Sequence, residues 1–347
     1  VAGQRYKYRN GVDGEQAAAA AGRSTFVLGL PEAVAWDYSV VLSDRRGDLG
    51  FDLSEGMRAM RELACLNGEA MPVEQAKVPI WDRGFLFGDS VYEVFRMYRG
   101  RCWLEAEHYA RLKRSLAELE FPPVDLARLK ERIDRTITQS EILEGMVYVQ
   151  ITRGVAARTH AFPDPSVPPT ELIVVRPYDD GPTGRARGTG VAVITYPDLR
   201  WGRCDIKTTN LLANCMATTK AKQAGCFEAI LVDPEGLVTE ATHTSLVWVR
   251  NGRVEGTPEG PEILPGMTRH FVLKLLAEIG IPFAEARVSL EELKAADEAI
   301  LVGTTSEVVS IVTVDGEPVG SGKPGPVAGR LWEAYRRAVD GWLAGVG

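Results

Sequence analysis

From about Cys65 onward the apolar positions fall into short runs, and their spacing switches between a period of two and a helical one. Residues 91–98 alternate as a strand, with Tyr92, Val94 and Arg96 on one face and Glu93, Phe95 and Met97 on the other. Residues 105–120 carry Tyr109, Leu112, Leu116 and Leu119 as the stripe of an amphipathic helix, and a second helix is predicted over about 125–140. Residues 146–153 and 171–176 read as strands. So do 191–196, 228–233 and 237–239. Residues 246–250 and 253–255 form a hairpin about Asn251-Gly252, and a last hairpin turns at Asp315-Gly316. A helix after Gly266 is buried through Phe271, Val272, Leu275, Leu276 and Ile279 and stops at Gly280. A strand at 299–302 and a helix from about Val327 complete the chain, which has no internal repeat. Interleaved strands and helices of this kind predict a mixed α/β (α+β) protein.

The first 64 residues have a different texture. Residues 1–22 are polar and rich in Gly, Ala and Arg, which suits an arm with little to bury. Residues 25–41 are more apolar, and Leu53, Met57, Met60, Leu63 and Ala64 have helical spacing. This region reads as an N-terminal extension, 1–64, without a chemical role. Residues 177–188 have the composition of a linker. The expected organisation is therefore a small α/β domain at 65–178, a linker at 179–188 and a larger domain at 189–347.

Composition narrows the function. With 347 residues, 45% hydrophobic and 25% charged, the chain has ample material for a core. A net charge of −7 argues against nucleic acid as the partner. No apolar run is long enough to cross a bilayer. Cys65, Cys102, Cys204, Cys215 and Cys226 are odd in number and widely spaced, as in a reduced, cytoplasmic protein.

Lys207 stands between the 191–196 strand and a helix expected from Asn210 to about Ala224, among small polar groups. Three stretches offer backbone N–H and hydroxyl donors: Gly266-Met267-Thr268, Gly303-Thr304-Thr305 and Thr242-His243-Thr244. Glu240 follows a strand. Arg158 and His160 are two apart and project together from an extended segment, while His108 and Arg111 share a helix side. A lysine, an acid and a phosphate cup with one Arg match the needs of pyridoxal 5'-phosphate. No metal is implied.

Several stretches together resemble the class IV (fold-type IV) aminotransferases, and among them the D-amino-acid transaminases. They are residues 82–94, 107–111, 151–160, 200–207, 225–230, 238–240, 263–269 and 304–307. The resemblance runs from about Cys65 to the C-terminus. It implies two domains with the cofactor in the cleft between them, a homodimer, and a ping-pong aldimine/ketimine mechanism. By it, Lys207 holds the cofactor as a Schiff base and then shuttles the proton between Cα and C4′. Glu240 pairs with the ring nitrogen. Arg111 holds the phosphate with the Met267 and Thr268 amides, Thr304 and Thr305. Tyr92, Arg158 and His160 resemble the carboxylate trap of the D-specific enzymes, in which the Arg-x-His loop comes from the partner subunit. The implied reaction moves an amino group from a D-alanine- or D-glutamate-like donor to a 2-oxo acid. Branched-chain L-transamination and 4-amino-4-deoxychorismate lyase activity are the alternatives within the family. The family's Ser-rich run is replaced by residues 241–245, so Thr242, His243 and Thr244 become the donors there, with His243 either on the phosphate or turned away. Gly303 replaces a hydroxyl residue. Arg96, on the Tyr92 face, either binds a distal substrate carboxylate or is a solvated strand residue.

Overall fold

A computed structural model describes residues 62–345, so the N-terminal extension and all but the end of its helical pattern lie outside the described residues. The described end, Leu63 and Ala64, is not helical. It opens strand β1 (Leu63–Leu66), which turns through Asn67-Gly68 into β2 (Glu69–Pro72) and pairs on its other side with β6 (Thr170–Pro177). Between them come helix α1 (Arg83–Phe87), β3 (Ser90–Tyr98), β4 (Arg101–Cys102), α2 (Glu105–Glu118), α3 (Leu126–Ser140) and β5 (Gly145–Thr152). The six strands form one antiparallel sheet in the order β2-β1-β6-β5-β3-β4.

The strand alternation decides which side of this sheet is covered. Val91, Phe95 and Met97 of β3 meet Leu112 and Leu116 of α2 and Leu129, Ile133 and Ile137 of α3. Each fully buried aliphatic side chain of this kind contributes about 1.5–3 kcal/mol. The opposite face presents Tyr92, Tyr148 and Gln150, with Tyr92 directly across from Gln150.

Where composition suggests a linker, the chain forms a helix, α4 (Gly181–Thr189), with Pro182 in its first turn. Arg187 fastens it, bonding Asp180 and the Ser306 carbonyl. There follow β7 (Val191–Pro197), α5 (Leu212–Gln223), β8 (Glu228–Val232), β9 (Val238–Ala241), β10 (Ser245–Arg250), β11 (Arg253–Gly256), α6 (Met267–Glu278) and β12 (Phe283–Glu285). The chain ends with α7 (Leu290–Lys294), β13 (Glu298–Gly303), β14 (Glu307–Val314), β15 (Glu317–Pro318) and α8 (Pro326–Leu343). These strands make a nine-stranded mixed sheet, β12-β11-β10-β13-β14-β7-β8-β9, with β15 on the flank of β14. Helices α6 and α8 cover one face through Val272, Leu276, Leu331 and Tyr335, and Val288 and Leu293 pack on the other. Small residues let α5 approach closely: Ala217 and Ala221 lie on Ala229 and Leu231. Tyr98 and Trp103, from the first sheet's end of the chain, are buried in the α6–α8 core and tie the two sheets together.

Candidate active site

Lys207 lies in the irregular segment between β7 and α5, yet the backbone that places it belongs to β3. The Tyr92 N–H donates to the Lys207 carbonyl at 3.0 Å, and Val91 forms an isolated bridge with Thr208. Ile206 is buried beneath the loop, and the Ser115 hydroxyl of α2 accepts from the Lys207 N–H at 3.4 Å. The Lys207 side chain runs over the Tyr92 ring, with Nζ 4.1 Å from its centroid. Lys207, Tyr92, Glu240, Thr242 and His243 all line one cleft of about 430 Å³, with Trp201, Leu264 and a side of α5.

Glu240 is the penultimate residue of β9 and is buried. Its Oε2 accepts from Arg200 Nη1 at 2.8 Å and from the Leu264 N–H at 3.2 Å. Burial pushes its pKa up, and Arg200 offsets part of that rise. Arg200 is in turn clamped by Asp198, at 3.0 Å to Nε and 2.9 Å to Nη2, and Thr239 donates to the same Asp198. Burial works against the Arg200 charge, but Asp198 and Glu240 outweigh it and raise the guanidinium's pKa further.

The other predicted residues divide. Arg111, on α2, is buried and holds Glu93 through Nε and Nη2, both at 2.8 Å, while Nη1 donates to the Pro265 carbonyl at 3.0 Å. This sets the guanidinium beside the start of α6, whose first turn contains Met267 and Thr268 and has no side-chain cap. Gly266 and Gly303 show how closely three donor stretches converge. A Cβ on Gly266 would come within 2.6 Å of Ser245 Oγ, and one on Gly303 within 2.9 Å of Thr244 Cγ2. Thr304 and Thr305 follow Gly303 in a half-buried turn. These residues do not themselves line the Lys207 cleft, which Leu264, two residues before Gly266, does.

Two expectations are corrected by the geometry. The Thr242–Thr244 turn does not offer its donors to a phosphate. The His243 N–H, the Thr244 N–H and the hydroxyls of Thr242 and Thr244 all donate to Glu228, a fully buried carboxylate on β8, at 2.6–3.1 Å. The His243 ring remains half-exposed, with Nδ1 3.2 Å from Glu228 Oε1. Arg96 is neither a cleft residue nor solvated. It is buried between the Tyr98 and Tyr178 rings, 4.4 and 4.7 Å away, and donates to the Met97 and Gly145 carbonyls and to Glu144. Its strand face is covered at that end by the chain leading into α4, so parity alone did not carry it to the cleft.

Arg158 and His160 are exposed on the loop after β5 and do not line this chain's cleft. Arg83 pins that loop from beneath through the Thr159 and His160 carbonyls, leaving both side chains outward beside Phe87.

The Amino-transferase class IV family model matches residues 90–314. The chain is a class IV aminotransferase. The D-alanine aminotransferase of Staphylococcus aureus (strain COL) is 37% identical over 279 residues, covering 79% of this chain and 97% of that protein. The D-alanine aminotransferase of Bacillus licheniformis is 38% identical over 280 residues, covering 79% and 95%. Among solved structures, a T.th. branched-chain amino acid aminotransferase with pyridoxamine 5'-phosphate superposes with a TM-score of 0.73. It shares 28% identity over 80% of this chain and 94% of that one. The fold is thus that of the fold-type IV enzymes, and the cofactor of this aminotransferase is pyridoxal 5'-phosphate.

The residues present fit that cofactor. A buried helix start without a side-chain cap, with an arginine beside it, has the donors and the field that suit an anion. Arg111 makes three bonds to protein and so keeps two of its five N–H donors for a phosphate. An amine and a buried carboxylate face the adjoining cleft.

Sequence reasoning missed the residues that act through others: Arg200, Asp198, Glu93, Ser115 and Glu228. A signal existed for two of them. Glu93 shares its strand face with Phe95 and Met97, and Glu228 opens an apolar strand, so each had to be buried and to find donors.

Proposed function

We propose that this aminotransferase takes D-amino acids of the alanine or glutamate kind and passes the amino group to a 2-oxo acid, working as a homodimer. One observation carries the reading. Among the described residues lining the cleft, the fixed cations are Lys207 and Arg200, and Arg200 is neutralised by Asp198 and Glu240. A substrate carboxylate therefore needs a cation from elsewhere. Arg158 and His160, exposed on a loop whose backbone Arg83 bonds, supply one if they enter the cleft of a second copy. The identity of 37–38% to D-alanine aminotransferases supports the same choice of substrate.

Bound pyridoxal phosphate supplies an electron sink that lets the Cα–H bond of the amino acid break. The rest falls to the chain. Lys207 Nζ takes the Cα proton and returns it on the other side of the exchange. The Tyr92 ring face lies under the amine and fixes its direction. Glu240, whose charge Arg200 supports against burial, favours a protonated ring nitrogen. Arg111 and the α6 start hold the phosphate. A carboxylate fixed by Tyr92, Arg158 and His160 decides which Cα hydrogen faces Lys207.

A second reading, L-specific branched-chain transamination, is favoured by the fold likeness to the T.th. branched-chain enzyme. Separate half-reactions with each enantiomer of alanine, glutamate and leucine decide between them. D-alanine and D-glutamate are expected to bleach the visible band of the bound cofactor. Bleaching by L-forms alone would refute D-specificity. The Lys207→Ala enzyme is expected to lose turnover.

A further inference from the structure

The Lys207 loop is fastened to the first sheet by side chains as well as backbone. Ser90, fully buried at the start of β3, and Thr209, two residues past Lys207, share a very short hydroxyl–hydroxyl hydrogen bond. Gln150 on β5 donates through Nε2 to Ser90 Oγ at 3.3 Å, and its Oε1 accepts from the Tyr148 hydroxyl at 2.8 Å. Ser90 Oγ has one proton and two lone pairs, so it bonds Gln150 and Thr209 at once, and the Ser90–Thr209 bond can run in either direction. The four groups therefore form one connected chain, Tyr148–Gln150–Ser90–Thr209. Tyr148 is also linked to Lys207 indirectly, through Tyr92. Its ring lies 5.7 Å from that of Tyr92, whose face is under Nζ. The backbone attachment by itself is short: one N–H to carbonyl bond and one isolated bridge.

We propose that Ser90 and Thr209 form a positioning latch for Lys207, with Gln150 and Tyr148 as its backing. The latch fixes the register of the loop on β3, and so holds the amine over the Tyr92 ring at the height from which it reaches Cα. Neither residue touches a reacting atom; both act through the backbone of residues 207–209. The proposal rests on Lys207 being the reacting amine. A small displacement of a reacting group lowers the rate without weakening substrate binding. The latch therefore acts on kcat rather than on KM.

The test uses the cofactor-loaded full chain with Ser90→Ala, Thr209→Val, the double variant and Ser90→Thr. Each single loss is expected to lower kcat by about three- to tenfold, the worth of one neutral hydrogen bond, with KM and cofactor retention on dialysis within about twofold of the parent. The pH midpoint of the bound cofactor's visible band should move in the same direction in both. The double variant should be no slower than the worse single one, and Ser90→Thr should recover most of the rate. Unchanged kcat and band midpoint in both single variants would overturn the latch. So would losses that multiply in the double variant, or losses of KM and melting temperature with the midpoint fixed. An inactive Lys207→Ala enzyme beside an unaffected Ser90→Ala overturns the latch alone. An unimpaired Lys207→Ala enzyme overturns the latch together with the reading beneath it.

Discussion

Two buried carboxylates, Glu93 and Glu240, meet opposite electrostatic fates. Burial opposes the charge on Glu93, but Arg111 and then His108 outweigh it and hold its pKa far below the carboxylate range. Glu240 is paired with Arg200 and also feels the Leu264 N–H and Lys207, yet burial outweighs them and leaves its pKa raised. Arg200 is therefore a control on the ionisation of Glu240. In Arg200→Met, Glu240 should hold its proton to higher pH. We expect kcat to drop by roughly 10²-fold and the acid limb of the kcat/KM profile to move to higher pH, with partial recovery in Arg200→Lys. The Glu93 site gives a stability prediction. Burial lowers the His108 pKa from its ordinary 6.5, only partly countered by Glu93. The unfolded chain then binds more protons than the folded one below about pH 6.5, so stability falls as pH drops through that value. A further loss follows below the ordinary Glu value of 4.5, where unfolded Glu93 would protonate and folded Glu93 does not. Melting temperatures followed from pH 8 to 4 should show both steps, and His108→Gln should lack the first. At this scale the sequence disclosed Lys207, Glu240 and Arg111 by their chemistry. It did not disclose that Thr242, His243 and Thr244 serve Glu228, because a contact between β8 and the turn before β10 has no local signature.

At the scale of elements, two helix starts carry opposite arrangements. At α8, Glu298 accepts from the Val327 and Ala328 N–H groups at 2.8 and 2.9 Å, so that start is closed by a protein carboxylate. At α6 no side chain does this, which is what the proposed phosphate site requires. Glu298→Ala should cost about 0.5–2 kcal/mol in urea unfolding and leave cofactor retention unchanged. The periodic helices and most of the longer strands were legible from spacing. So were the turns at Asn251-Gly252 and Asp315-Gly316, where both residues of each pair take positive φ. Three helices were not: α1, α4 and the five-residue α7. α1 is a single turn of five residues, begun by the Asp82 side chain accepting from the Gly84 N–H, and too short to show a period. α4 has three glycines and a proline, and its shape comes from the ion pair and hydrogen bond of Arg187 rather than from helix propensity. Composition read it as a linker for sound local reasons that tertiary contacts overrode.

For the molecule as a whole, Glu307 joins parts distant in sequence. Buried at the start of β14, it accepts from Tyr98 on β3 at 2.7 Å, and from Trp332 and Arg336 of α8 at 3.2 and 2.9 Å. Tyr98→Phe removes the bond between the sheets while leaving Glu307 two donors. We expect a loss of about 0.5–1.5 kcal/mol in equilibrium unfolding, without loss of cooperativity. The descent of the Lys207 backbone from one sheet's connections, and its registration on the other sheet's strand, has a practical outcome. A piece cut to the second sheet and its helices would keep Lys207, Glu240 and Arg200 in one covalent unit, but with the amine on a slack tether. Any attempt to miniaturise this enzyme, or to graft its nucleophile onto another scaffold, has to bring strand β3 along.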